Sequence, residues 1–297
     1  DINLTAEGHA EPYNIAVPSG DAYFDPYYTG ESLISFTRSN YLEGSGEEDI
    51  NPRLQVNQIT AFIDASNVYG STIEVANNLR TYGGKLLMSS NDLLPLFEGE
   101  RGLEFGAGDV RVNENIGLTS MQTIFAREHN QWVDWVASLR PEYSGDKLYE
   151  VAKSIVEAEM QIITYNEFLP LLLGENSLSE YQGYNATINP QISTEFATAA
   201  FRVGHTMLSS DILRLQENGE DSIYGNLTLQ EAFFRPDIIL SQGGIDEALR
   251  GLGASYSQAI DASITESDKV TKRDVKGRVV EYLRKDGIYV ARIYGYD

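Results

Sequence analysis

Apolar residues recur at helical spacing in the middle of the chain and almost nowhere near its start. In Leu118–Leu139 the positions Met121, Phe125, Trp132, Val136 and Leu139 lie three, four or seven apart, the signature of one apolar helix face. Lys147–Leu173 repeats the pattern through Leu148, Val151, Ile155, Ile162 and Ile163, with Gly174 as its terminator. Thr194–Leu208 is apolar on most sides, which predicts a buried helix. Shorter helices are expected at Thr72–Tyr82, Leu227–Phe234 and Gly244–Ala259. Residues 1–55, rich in Gly, Pro, Asn and Asp, and residues 84–116 read as long irregular loops. No repeat of fixed period is visible. The pattern predicts a mainly α chain with long loops and little β structure.

Charge refines this picture at one end. The 297 residues carry 22 basic and 44 acidic side chains, a formal charge of −22. That balance argues against nucleic acid or anionic lipid as a partner, because both would repel it. Residues 268–297 reverse the trend, with 8 basic and 5 acidic side chains against 14 and 39 in residues 1–267. They also contain a strand-like run, Gly287–Tyr296, so we divide the chain into residues 1–267 and a divergent basic tail, 268–297. The chain has no cysteine, which removes disulfides, thiolate metal sites and cysteine nucleophiles together. The longest apolar stretch, Ile155–Leu173, is interrupted by Glu157, Glu159, Asn166 and Glu167, so no transmembrane segment is expected.

Only three histidines are available for chemistry. His205, in Phe201-Arg-Val-Gly-His205, would share a helix face with Phe201 and Arg202, and Gly204 leaves room for a flat group. That setting suits an axial imidazole on haem iron with an arginine near a propionate. Spacing alone favours a hydrogen-bonded core histidine over that role. His129 falls on the stripe of Phe125, Trp132 and Val136 and reads as a buried histidine held by hydrogen bonds. His9 reads as a surface histidine. No HExxH pair, GxSxG elbow or phosphate-binding GxxxxGK[ST] loop occurs. Thr60, the Phe62 carbonyl, Asp64 and Ser66 offer oxygens at every second position. In an extended loop these would turn to one side, as a Ca²⁺ site requires, though half-buried strands alternate in the same way. Arg111 and Glu114 read as part of a polar lead-in to the Leu118 helix.

Taken together, several ordered segments resemble the animal-type haem peroxidase family, the myeloperoxidase and peroxidasin superfamily, in the manner of a bacterial member. They are Ile59-Thr-Ala-Phe-Ile-Asp-Ala-Ser-Asn-Val-Tyr-Gly-Ser71, Leu118-Thr-Ser-Met121, Arg127-Glu-His-Asn130, Gln161-Ile-Ile-Thr-Tyr165, Phe201-Arg-Val-Gly-His205 and Gly243-Gly-Ile-Asp-Glu-Ala-Leu-Arg-Gly251. The resemblance runs from Asp1 to about residue 260. It implies a helical haem peroxidase domain that reduces hydrogen peroxide and oxidises a halide or an aromatic donor. Under it His205 becomes the proximal ligand of haem b, and Arg202 the arginine near a propionate. Arg111 becomes the distal arginine that assists peroxide cleavage, and Glu114 the carboxylate that forms a haem ester in some members. Asp1, Thr60, Phe62, Asp64 and Ser66 become calcium ligands.

Departures from the family pattern carry their own expectations. Asn115 stands where myeloperoxidase has its sulfonium-forming methionine, so that link cannot form. The distal histidine would directly precede Asp1, and the Asn-x-Gln-Arg-x-Arg-Asp-His segment has no match in 268–297. The given residues therefore read as part of a catalytic domain. The acidity, the calcium loop and the absence of cysteine fit a secreted protein, and the resemblance implies a part in the response to oxidative stress. Two alternatives stay open: a catalytically inactive peroxidase-like domain for calcium binding and adhesion, and an oxygenase of the same superfamily.

Overall fold

The computed structural model describes residues 12, 14–22, 24–34, 38, 41–46, 50–99, 101–260, 282–283 and 290–291. Eight α-helices are defined among them: α1 (Ser66–Tyr69), α2 (Ile73–Leu79), α3 (Ile116–Leu139), α4 (Gly145–Ile162), α5 (Leu169–Leu173), α6 (Thr194–Thr198), α7 (Pro236–Ser241) and α8 (Asp246–Ala254). Strands are short and pair only as two-stranded antiparallel ribbons. The mainly α expectation is met. The chain divides into two compact units, one formed by Asp1–Asn57, Ser193–Leu208 and Ala259–Asp297, the other by Gln58–Ile192 and Ser209–Gln258.

The second unit holds the larger core. Its axis is α3, which starts where Asn115 accepts a hydrogen bond from the Leu118 N–H at 2.9 Å. It stops at Arg140, which Pro141 holds outside helical geometry. The helix packs against α4 and α8, with Val112, Ile116, Ala126, Tyr149, Val156 and Ile245 among the buried apolar residues. Its buried face differs from the apolar stripe expected, since Met121 and Leu139 are exposed. Thr119, Ser120, Gln122, Thr123 and His129 lie inside instead. Small hydroxyl residues tolerate that position because each donates back along the helix, Ser120 to the Ile116 carbonyl at 2.6 Å and Thr123 to that of Thr119 at 2.7 Å.

The expected Lys147–Leu173 helix is three pieces. Ser144 caps α4 by accepting the Lys147 N–H at 3.3 Å. A π-helical stretch, Ile163–Phe168, then leads into α5. Pro170 gives the physical reason: it cannot donate to the carbonyl of Asn166 and its ring crowds that oxygen, so the turn ahead of it widens. Gly174 does terminate the run, at φ 97°. Ile162 and Ile163, assigned to the buried face, are exposed.

Three further expectations change. Residues 84–116 are not all loop, since Leu96–Gly99 and Gly102–Phe105 form an antiparallel hairpin. Leu227–Phe234 is a two-residue strand followed by a 3₁₀ turn at Gln230–Ala232 rather than a helix. In the first unit, Thr194–Leu208 is neither one helix nor buried. It comprises α6 and a 3₁₀ segment, Ala200–Met207, none of whose residues is buried. The first unit also contains a ribbon pairing Ile15 with Ile34 and Ala16 with Leu33. Asp25 organises the loop between those strands, accepting the N–H of Thr29 at 2.9 Å and of Gly30 at 2.8 Å and the Thr29 hydroxyl at 2.6 Å. His9, Asp1 and nearly all of 268–297 lie outside the described residues. Among the described residues no helix is long and apolar enough to cross a membrane.

Candidate functional site

The residues assigned to a haem site fall into both units. His205 and Arg202 belong to the first, on the 3₁₀ segment Ala200–Met207. A 3₁₀ turn repeats every three residues, so Arg202 and His205 lie along one edge, while Phe201 is rotated away and is 67% exposed. The face expected to be shared by Phe201, Arg202 and His205 is therefore shared by Arg202 and His205. Among the described residues, nothing lies within 4 Å of where a Cβ on Gly204 would stand. A partly exposed imidazole, an arginine one turn away and open space beside a glycine together fit a planar anionic group bearing a metal.

Arg111 and Glu114 belong to the second unit, at the entrance to α3. Asp109 caps a 3₁₀ turn, Val110–Asn113, and Glu114 closes it through its N–H to the Arg111 carbonyl at 2.8 Å. Asn113 pins this turn to the hairpin, accepting the Phe105 N–H at 2.9 Å and donating to the Phe105 carbonyl at 2.7 Å. Arg111 is not isolated. Its Nε and Nη2 donate to the two oxygens of Asp109 at 3.0 and 2.7 Å. Burial of Asp109 opposes ionisation, but the side-chain and backbone hydrogen bonds from Arg111 and its positive charge more than offset that, holding the carboxyl below its usual range. The pair fixes the guanidinium plane. Sequence reasoning missed Asp109, although its place two residues before Arg111 ahead of a turn is a capping signal.

The candidate calcium segment is also in the second unit, and it is not extended. Bends at Ala61, Phe62 and Asp64 and a left-handed Ala65, φ 54°, replace the expected alternation. Thr60 Oγ1 accepts the Phe62 N–H and Asp64 Oδ1 the Ser66 N–H, both at 3.1 Å, so the side chains curl onto their own backbone. Gln161 donates to the Ile63 carbonyl at 2.8 Å. This ties the Gln161–Tyr165 segment to the loop, a link no spacing rule reveals. Asp64 is the one carboxylate among Thr60, Phe62, Asp64 and Ser66, and Asp1 lies outside the described residues.

Arg127-Glu-His-Asn130 has a different purpose. His129 is fully buried. Its Nε2 lies 2.9 Å from the Gly84 carbonyl, which can only accept, so Nε2 carries the proton. Nδ1 then accepts from the Tyr69 hydroxyl at 2.9 Å. Tyr69, His129 and Tyr149 meet edge to face, with centroids 5.2–5.8 Å apart. Burial holds the His129 pKa down to about 4, against a weaker opposing effect of the Gly84 hydrogen bond. It also raises both phenols, that of Tyr149 to about 12. Arg127 donates to the Asp92 and Asn91 carbonyls at 2.7 and 3.1 Å. Asn130 brackets Leu86, accepting its N–H at 2.7 Å and donating to its carbonyl at 3.1 Å. Three side chains of this motif thus fasten the 84–92 loop to α3, as expected for a buried, hydrogen-bonded His129.

Arg214 is a second clamp that the sequence did not announce. Only 2% exposed, it donates to the Tyr224 and Gly225 carbonyls and to Gln242 at 2.7–2.8 Å.

Comparison with known proteins places this arrangement. The chain is similar to the peroxidasin homolog of Mus musculus, with 40% identity over 81% of the chain and 18% of that protein. Peroxidasin of Drosophila melanogaster is 37% identical over 84% of the chain and 18% of its own length. The chain therefore spans less than a fifth of these relatives. Among solved structures, peroxidase A from Dictyostelium discoideum superposes with a TM-score of 0.78 at 30% identity, covering 87% of this chain and 54% of that one. A fatty acid alpha-dioxygenase from Oryza sativa, at 20% identity and a TM-score of 0.66, shares the fold. The family model described as animal haem peroxidase matches residues 2–278, more than nine-tenths of the chain, and so the chain belongs to the animal haem peroxidase family.

Proposed function

We propose that this chain is the His205-bearing part of a haem-dependent peroxidase that reduces hydrogen peroxide and oxidises a halide or an aromatic donor. The observation that carries the reading is the Phe201–His205 turn, which presents an imidazole and an arginine along one edge beside the open space at Gly204. When bound, haem b would supply electrons to peroxide and withdraw them from the donor. His205 would hold the iron through a neutral ring nitrogen, and Arg202 would pair with a propionate. Arg111, its plane set by Asp109, would stabilise the negative charge that grows as the O–O bond lengthens. Glu114 would supply the carboxylate for an ester link to the haem.

Calcium would draw on the Thr60, Asp64 and Ser66 side chains, the Phe62 carbonyl and Asp1. Gln161, through Ile63, would brace that loop. We assign the peroxidase-type region to 1–267, the basic tail to 268–297, and the whole to the outside of the cell. The same braced loop favours a second reading, a calcium-binding adhesion domain without catalysis.

Titrating haemin into the protein with calcium present, beside His205→Ala, separates the two. A Soret shift in the wild type that is lost in the variant supports the haem reading. A shift in neither protein, with calcium still raising the melting temperature, supports adhesion.

A further inference from the structure

Tyr69 in α1 and His129 in α3 have no part in the haem chemistry proposed above, yet together they hold the parts of a redox site. Tyr69 is 1% exposed. Its hydroxyl donates to His129 Nδ1 at 2.9 Å, and His129 Nε2 donates to the Gly84 carbonyl at 2.9 Å. Burial keeps the imidazole neutral at pH 7, with its pKa down at about 4, and it raises the Tyr69 phenol, which keeps its proton. The pair is an intact proton donor set against an unprotonated base.

Loss of an electron turns a phenol into a strong acid, so the electron leaves readily only where the proton has a place to go. Nδ1 is that place, and the imidazolium formed would keep its Nε2 bond to Gly84 without turning. The Lys153 ammonium stands 5.4 Å from the Tyr69 ring centroid, and its charge disfavours a phenol that has lost an electron and kept its proton. Tyr149 supplies the contrast. Its ring centroid is 5.8 Å from that of Tyr69, but its buried hydroxyl has no hydrogen-bond partner among the described residues. The oxidising equivalent therefore belongs on Tyr69. A Cβ at Gly108 would strike the Ser66 carbonyl and the Tyr69 and Gly70 N–H groups, so glycine lets α1 lie flush on the chain that leads to Arg111. Tyr69 is thus packed against the segment carrying the arginine proposed to assist peroxide cleavage.

We propose that Tyr69 and His129 form a one-electron redox site that holds an oxidising equivalent as a neutral tyrosyl radical. Tyr69 gives one electron to a high-potential one-electron oxidant, and its hydroxyl proton passes to His129 Nδ1. The O–H bond breaks, an N–H bond forms, and the oxidant is reduced by one electron. On return, a phenolic donor supplies one electron as the proton moves back from Nδ1 to the Tyr69 oxygen. Peroxide-oxidised haem as the natural oxidant rests on the peroxidase reading above; the chemistry of the pair does not.

The test uses the haem-free full chain with a photoexcited ruthenium polypyridyl complex and a cobalt(III) acceptor, which leaves Ru(III) as the oxidant. Electron paramagnetic resonance of samples frozen at intervals follows the radicals. Exposed tyrosines are oxidised too, but their radicals meet and couple, so a long-lived tyrosyl signal marks the buried site. The wild type should show it, with gx lowered by the hydrogen bond from protonated His129. Tyr69→Phe, which keeps the ring contacts, should shorten the life of the remaining tyrosyl signal about tenfold, the factor that one charge-assisted hydrogen bond is worth. Tyr149→Phe should leave it unchanged. No long-lived signal in the wild type, or the same lifetime in Tyr69→Phe, overturns the proposal. A long-lived signal without the lowered gx overturns the part given to His129. The radical in a chain that shows no Soret shift with haemin supports the site and removes haem as its oxidant.

Discussion

His129 and His205 sit in the two most distinctive histidine-bearing stretches of the chain, and the structure treats them in opposite ways. His129 lies inside the second unit with both ring nitrogens committed to protein partners and no exposed surface. His205 sits in the first unit on a short 3₁₀ segment with no buried residue. A histidine whose two nitrogens are occupied holds a fold together. His205, partly exposed on its turn, is the residue proposed to hold the haem iron. The contrast in burial can be tested at both ends.

The largest effect is expected at the buried end. His129→Ala removes both hydrogen bonds, leaves the Gly84 carbonyl and Tyr69 hydroxyl unpaired and opens a cavity. Together these should cost about 3–5 kcal/mol. Urea unfolding followed by far-ultraviolet circular dichroism would show this as a lowered midpoint. A loss below ~1 kcal/mol would mean the network is incidental.

Acid should act on the same residue without mutation. The folded-state pKa of His129 is depressed from 6.5 to about 4, so the unfolded chain binds more protons between those values. The corresponding stability is complete above pH 6.5 and is lost as pH falls through 4, amounting to about 3 kcal/mol. Asp25, in the first unit, marks a separate and more acidic window. The Thr29 hydroxyl and the Gly30, Thr29 and Gly20 N–H groups hold its pKa down from 3.8 to about 2, despite burial. Its contribution is present above 3.8 and is lost as pH falls through 2. Acid unfolding followed by Trp132 and Trp135 fluorescence should therefore begin at the higher window, since both tryptophans lie in the second unit. A single transition confined to the pH range below 3.8 would show that His129 is not held neutral.

A smaller change isolates one bond of the network. Tyr69→Phe keeps the ring contacts but takes the proton donor from His129 Nδ1, at a cost of about 1–2 kcal/mol. If Tyr69→Phe matches the wild type in urea, a buried water has replaced the phenol as donor.

These contrasts also show what the sequence could reveal. Helical periodicity located α3 and α4, and the position of His129 on the α3 stripe announced a buried ring. Periodicity could not foresee Thr119, Ser120 and Thr123 inside that face, because a hydroxyl looks polar until its bond to the preceding turn is seen. It read one helix where Pro170 forces a π turn, and it read Thr194–Leu208 as buried from apolar composition alone. The Asp109–Arg111 pair, the Gln161 brace on Ile63 and the Arg214 clamp were illegible for a different reason. Each joins a side chain to a partner whose position only the folded backbone sets. The motif residues were legible because type and order survive in one dimension; the supports around them were not.

The smallest predicted effect is the one that sharpens the comparison most. His205→Ala should change the urea midpoint by less than about 0.5 kcal/mol, as for an ordinary surface substitution. The 3₁₀ segment has no buried residue, nothing among the described residues lies within 4 Å of a Cβ position on Gly204, and Phe201 is mostly exposed. Measured beside His129→Ala in the same buffer, the two alanine variants then differ by several kcal/mol in stability. With haemin present the order should invert, the Soret shift being kept where the fold survives and His205 remains, and lost where His205 is removed. A large loss of stability in His205→Ala without haemin would instead make this histidine a structural residue like His129, and the assignment of the turn as a metal-holding edge would fall with it.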